Sequence, residues 1–190
     1  PLENSTVSLL RSDSERLSDP APADAELTYL QIREMVWLAI EMAPTRTGPL
    51  PSIIEPGDWV VVKPNMVFIP PQSGNYSLGD ITDPRVTQAV LEYLARFSAA
   101  GRITLAMGGS WKGLSGPDFS NDGGFERQNG VNVDGFTTTF GDNYPGFEGS
   151  FTDVIDSLAI THPDMRFDTA DFNYDLFPTL EDRRMIPVPE

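Results

Sequence analysis

A lysine and an asparagine follow an apolar run in the first third of the chain. The run is WVVV at 59–62, and Lys63-Pro64-Asn65 comes directly after it. A lysine ammonium suits a carboxylate or a phosphate, and an asparagine amide adds a directional hydrogen bond. If the run is a buried strand, both side chains lie at its carboxyl end. The pattern predicts a contact with a small anion; a tight turn with a solvated lysine is the alternative.

Two further stretches have the form of a helix start and a strand exit. Asp83, between Thr82 and Pro84, is of the type that caps a helix, and Gly108-Gly109-Ser110 follows an apolar run. Ligands of open parallel sheets bind beyond the carboxyl ends of the strands, and neighbouring strands lie ~5 Å apart. An ordinary cap at Asp83 and an ordinary turn at the glycines are the alternatives. The predicted ligand-binding residues are Lys63, Asn65, Asp83, Gly108, Gly109 and Ser110.

The elements that must position these residues alternate along the chain. Apolar spacing predicts strands at 6–10, 59–63, 102–107, 166–170 and 185–188, and helices at 25–43, 83–101 and 151–160. Asp24 is the expected cap of the first helix, and Gly101 is the expected C-terminal cap of the second. The run 59–63 lacks polar alternation, which predicts burial on both faces.

This order predicts an α/β fold, with a three-layer open mostly parallel sheet flanked by helices. We expect residues 1–190 to form a single domain with a long insertion at 113–150. The last predicted strand lies almost at residue 190. We therefore expect the domain to be incomplete at the C-terminus, as a fragment or processed half of a larger one.

Two of these stretches together resemble a known family. The sequence resembles motifs of the prokaryotic domain-of-unknown-function family 362. The first motif consists of Gly57-Asp58, the apolar strand and Lys63-Pro64-Asn65-Met66-Val67, and the second is Thr82-Asp83-Pro84. The similarity covers about residues 5–112 well and 150–190 loosely. It implies a distant likeness to the N-terminal part of nickel-pincer lactate racemase-like proteins, and a metal-linked cofactor. The family's iron–sulfur module and its later lysine-threonine-histidine segment are missing from this sequence.

Composition excludes several function classes. The net charge of −15 argues against nucleic acid and anionic membrane surfaces, which require clustered Lys and Arg. There is no cysteine, hence no iron–sulfur cluster in this chain, and the single histidine, His162, rules out a multi-histidine metal site. No apolar run reaches the ~20 residues of a membrane span. The compartment stays open between the cytoplasm and export after signal removal.

The insertion at 113–150 is rich in Gly, Asn, Asp and Phe and has no convincing periodicity. Its carboxylates, among them Asp122, Asp134 and Asp142, are oxygen donors compatible with a divalent metal, although a solvated acidic loop explains them too. Three aspartates at or after the strand at 166–170 are candidates to supply a carboxylate to the main site, or simply part of an amphipathic strand and turn: Asp168, Asp171 and Asp175. Aromatic side chains are enriched at protein interfaces, and many occur here: Phe119, Phe125, Phe136, Phe140, Phe147 and Phe151.

Two functions remain in view. The leading hypothesis is a domain that binds a small anionic ligand or metal-linked cofactor at the carboxyl edge of its sheet. Whether it also performs catalysis stays open. The alternative is a non-catalytic exported assembly subunit that contacts other chains through 113–150. Its partners would be other protein chains or the missing C-terminal part of the same protein.

Overall fold

The computed structural model describes most of the chain up to residue 171. The described residues are 7–43, 45, 48–65, 82–107, 127–128, 131–132, 136, 140, 144–147 and 149–171. Residues 127–128, 131–132 and 171 are described by their backbone alone. The predicted strand at 185–188 lies outside these ranges.

Helices and strands alternate in the described residues. The elements are α1 (Tyr29–Glu41), a short 3-10 helix (Leu50–Ile53), β1 (Trp59–Val62), α2 (Pro84–Phe97), β2 (Arg102–Met107), β3 (Arg127–Gln128), β4 (Val131–Asn132), α3 (Phe151–Thr161) and β5 (Arg166–Asp171). Strands β3 and β4 form a small antiparallel pair. The other three strands form the main sheet.

The main sheet is parallel, in the order β1-β2-β5, which confirms the predicted α/β class. Because strand order follows chain order, crossovers of one hand place α2 and α3 on the same face, and these two helices contact each other. That face carries Val60 of β1, Ile103 and Leu105 of β2, and Phe167 of β5. A helical layer on the opposite face stays a prediction.

The hydrophobic core lies between this sheet face and the two helices. Some core residues belong to no helix or strand, and most of these come from the predicted insertion. They are Phe136, Phe140, Tyr144 and Phe147, all buried. The rings of Phe140 and Phe147 lie 5.7 Å apart edge to face, and each lies 5.4 Å from the ring of Phe151. Edge-to-face pairs of this kind stabilise beyond the area they bury. The insertion therefore completes the core.

Helix α1 packs against α2 and is shorter than predicted. It begins after Thr28, whose side chain and Gln31 form a reciprocal capping box, so the predicted start at Asp24 is wrong. The indole N–H of Trp37 donates to the carbonyl of Ala89 in α2 at 2.9 Å. The Trp37 ring also lies 5.3 Å from the ring of Phe97. Trp37 therefore anchors α1 to α2 through a backbone carbonyl and an aromatic ring.

Three other predictions were wrong. The strand predicted at 6–10 is absent from residues 7–10, which are irregular. The run at 59–62 is not buried on both faces: Trp59 is 59% and Val61 46% exposed, on the sheet face opposite α2 and α3, and among the described strands it lies at the edge of the sheet. Gly101 does not cap α2, since the C-cap is Ser98. Gly101 instead packs closely against Gly57. A Cβ added at position 101 would lie only 2.8 Å from the Gly57 Cα.

Candidate functional site

The segment after β1 is tied to the beginning of α2. The backbone N–H of Asn65 donates to Thr82 Oγ1 at 2.9 Å, and the N–H of Thr82 donates to the carbonyl of Asn65 at 2.8 Å. Thr82 directly precedes Asp83, the N-cap of α2. The structure thus brings Asn65 next to the helix start, at the carboxyl end of β1. Lys63 lies two residues before this bridge, and its side chain is exposed, as is that of Asn65.

Asp83 has structural partners that account for its position. Its carboxylate accepts from the backbone N–H of Arg85 at 2.9 Å and pairs with the Arg85 guanidinium at 2.8 Å. The cap satisfies one of the free donors of the first helical turn. This arrangement favours the capping role over a direct ligand contact for Asp83.

Arg85 is a partly buried residue that connects three segments, and it was not among the predicted site residues. Besides Asp83, its guanidinium donates to the carbonyls of Leu27 and Pro145, both at 3.1 Å, and lies 5.8 Å from the centre of the Tyr144 ring. It therefore joins the segment before α1, the beginning of α2 and the insertion. An open groove of about 460 Å³ runs beside it, with a mainly apolar lining. The sequence signal that could have identified Arg85 is its position as a charged residue directly after Asp83-Pro84.

The other predicted site residues lie outside the described residues. These are Gly108, Gly109 and Ser110 at the end of β2, and the candidate metal ligands Asp122, Asp134 and Asp142. Within the part of the chain that the structure describes, no group of three or more His, Asp or Glu side chains is placed to hold a metal ion. The metal-linked cofactor stays a prediction.

A second polar cluster lies on the sheet face opposite the helices. Asp168 of β5 pairs with Arg102 at 2.8 Å and with Arg166 at 3.0 Å, and it accepts from the hydroxyl of Thr104. The Trp59 indole N–H donates to Thr104 Oγ1 at 2.7 Å. Burial acts to raise the pKa of Asp168, but the hydrogen bonds from Thr104 and Arg102, with both arginine charges, hold that pKa below its usual value.

These contacts bind Asp168 to its neighbours within the sheet. Asp168 stands opposite Thr104 in the register, three residues before the end of β5. The expectation that Asp168 supplies a carboxylate to a site with Lys63 therefore has no support in its contacts. Its bonded neighbours on β2 are Arg102 and Thr104, which explains the residue as part of the amphipathic strand.

Lys63 differs from the described arginines in its surroundings. Each arginine whose side chain the structure describes contacts a carboxylate, an aromatic ring or a methionine sulfur. Lys63 has no such contact among the residues that the structure describes. Lys63 is therefore an exposed cation with no paired carboxylate among the described residues, and it can attract an anion locally although the chain carries a net charge of −15.

The insertion does not present its described aromatic side chains as an interface. Phe136, Phe140, Phe147 and Phe151 are all buried in the core, so packing accounts for these residues, and they do not support the assembly hypothesis. Phe119 and Phe125 lie outside the described residues. The assembly hypothesis itself stays a prediction.

Comparisons of the chain with family models, with curated proteins and with solved structures found no match. The resemblance to family 362 therefore stays a prediction. In the described part of the chain, no helix combines the length and apolar character needed to cross a bilayer.

Proposed function

We propose that the chain binds a small anion, a carboxylate or a phosphate, between Lys63, Asn65 and the beginning of α2. The observation that carries the proposal is the pair of hydrogen bonds between Asn65 and Thr82. They hold the segment after β1 against the helix start, so the exposed Lys63 and Asn65 side chains belong to one ordered edge. Preorganised groups of this kind lose less entropy on binding.

Lys63 is the principal contact in this proposal. Its ammonium supplies a point charge with three donors. Asn65 adds a side-chain amide that can donate to an anion oxygen. The positive end of the α2 dipole adds a favourable field, while Asp83 already occupies the backbone N–H of Arg85. The site therefore relies on side chains and on the helix field, with Asp83 as the cap.

The proposal is tested by titrating the protein with inorganic phosphate and with a small dicarboxylate at constant ionic strength. Binding is followed by calorimetry and by amide chemical shifts at 63–65 and 82–85. A charge-assisted hydrogen bond contributes about 1.5–3 kcal/mol, so Lys63→Ala should weaken binding roughly tenfold or more. Asn65→Ala should weaken it less. Both side chains are exposed, so the melting temperature should change little.

Arg11→Ala is the matched control, because it removes one exposed positive charge that belongs to a surface pair with Asp13. It should leave the affinity unchanged. Equal losses in Lys63→Ala and Arg11→Ala would mean that only overall charge matters. The proposal also fails if neither anion binds to the unmodified protein.

A further inference from the structure

Strand β1 has one paired edge and one unpaired edge among the described residues. It pairs with β2 and lies at the end of the main sheet. Its sequence, WVVV, carries no charge, and two of its four side chains, Trp59 and Val61, are exposed. Edge strands offer unpaired backbone groups to another strand, and natural proteins limit such pairing with short strands, charges, bulges or covering segments. Strand β1 is short but carries no charge.

The faces of β1 restrict how a second strand can align. Trp59 and Val61 share the face of Arg102 and Thr104, whereas Val60 and Val62 point toward the helices. Directly opposite residues in an antiparallel pair lie on the same face. In a twofold-symmetric pair of β1 strands, the axis must therefore pass beside a residue and its own copy. The two central residues, Val60 and Val61, give the longest overlap of the four-residue strands.

The neighbouring residues distinguish the two axes. An axis at Val60 would place Asp58 opposite Val62 of the second copy, on the helix side. Asp58 is already engaged there, because its carboxylate accepts the N–H of Glu55 at 2.8 Å. An axis at Val61 places Val60 opposite Val62, and Lys63 opposite Trp59. The second alignment joins apolar residues and sets a lysine beside an aromatic ring.

We propose that a second copy of this chain pairs with β1 in antiparallel orientation, about a twofold axis at Val61. Two three-stranded sheets then become one continuous sheet. The aliphatic part of Lys63 covers the Trp59 ring of the second copy, and its ammonium remains in water. Arg102 already lies over the Trp59 ring, 4.3 Å from its centre.

The charge of the chain sets how the association depends on salt. Each copy carries −15, so two copies repel each other at long range, whereas the joined strands are uncharged. Salt screens that repulsion and leaves the strand pairing intact. The dimer is therefore expected to strengthen as ionic strength rises, opposite to the weakening that salt causes for anion binding at Lys63.

Cross-linking tests the axis directly. The chain has no cysteine, so Val61→Cys introduces one thiol. Across an antiparallel pair its two copies would have Cα atoms about 4.5–5.5 Å apart, within disulfide range. Mild oxidation with diamide should give a covalent dimer far faster than for Val7→Cys, a control at an exposed valine outside the sheet. Equal rates in the two variants would overturn the proposal.

Light scattering tests the association itself. The dimer fraction of the unmodified protein should rise from micromolar to sub-millimolar concentration, and Val61→Lys should abolish it, since two ammonium groups would meet at the axis. Circular dichroism verifies the fold of that variant. A monomer throughout this range overturns the proposal, as does a natively folded Val61→Lys that still dimerises. The two Val61 variants leave Lys63 and Asn65 unchanged. The experiments can therefore refute dimer formation without refuting anion binding, and the reverse.

Discussion

Replacing Phe140 by alanine tests whether the insertion belongs to the core. The Phe140 side chain is 3% exposed, and its ring lies within 6.1 Å, centre to centre, of the rings of Tyr144, Phe147 and Phe151. Phe→Ala at such sites lowers the free energy of unfolding by about 3–5 kcal/mol, through lost transfer energy and the cavity left behind. Aromatic side chains exposed for assembly would give almost no loss in a monomer.

The measurement is urea unfolding followed by circular dichroism. Small domains are stable by about 5–15 kcal/mol, so Phe140→Ala removes a large part of the total. Phe140→Leu keeps much of the volume, and we expect it to lose about 1–2 kcal/mol. Ile160→Ala on α3 is the control, because Ile160 is 79% exposed and should change stability by ~0.5 kcal/mol or less.

The test depends on how the three variants rank in their loss of stability. The expected loss is largest for Phe140→Ala, intermediate for Phe140→Leu and smallest for Ile160→Ala. If Phe140→Ala loses no more stability than Ile160→Ala, with equal dependence on urea, the packing of Phe140 in the core is refuted.

Two further predictions concern the charged side chains. Arg85→Ala removes the guanidinium that pairs with the Asp83 carboxylate and donates to two carbonyl groups. It should cost roughly 2–3 kcal/mol in urea unfolding, whereas Arg11→Ala on the surface should cost about 0.5 or less; equal losses would contradict the connector role. For Asp168, a pKa lowered in the folded state stabilises the protein above the unfolded pKa of about 4, and the stabilisation disappears as pH falls through the folded value. Asp168→Asn should therefore flatten the fall in melting temperature below about pH 4; an unchanged profile would exclude this carboxylate as a source of acid sensitivity.

The elements with strong local signals could be predicted from the sequence. Strands β1, β2 and β5 are short apolar or amphipathic runs close to their predicted ranges, and α2 follows the capping residue Asp83. The edge position of β1 could not be predicted, because the order of strands depends on partners far along the chain. Burial on both faces also requires cover on both sides of the sheet, and the exposed Trp59 and Val61 lie on the face opposite α2 and α3.

The core contribution of the insertion was missed for a related reason. Hydrophobic periodicity identifies side chains that share one face of a regular element, whereas Phe136, Phe140 and Tyr144 lie outside regular helices and strands. Their spacing of four residues was the available signal. At the site, the rule for parallel sheets anticipated that Asn65 would lie beside the helix start at Thr82. The contacts of Arg85 and Asp168 depend on segments brought together only by folding.

The pairing of β2 with β5 has a consequence for the order of folding. Ile103 stands opposite Phe167, so the sheet is completed only after a long stretch of chain has been synthesised. Until the aromatic residues around Phe140 and Phe151 follow, α2 alone can cover the apolar face of β2, and the rest of the core that packs there is still missing. Pairing between distant strands is slow, and uncovered strands are prone to aggregate in the meantime. A nascent chain that ends soon after β2 would therefore be the species that most needs a chaperone.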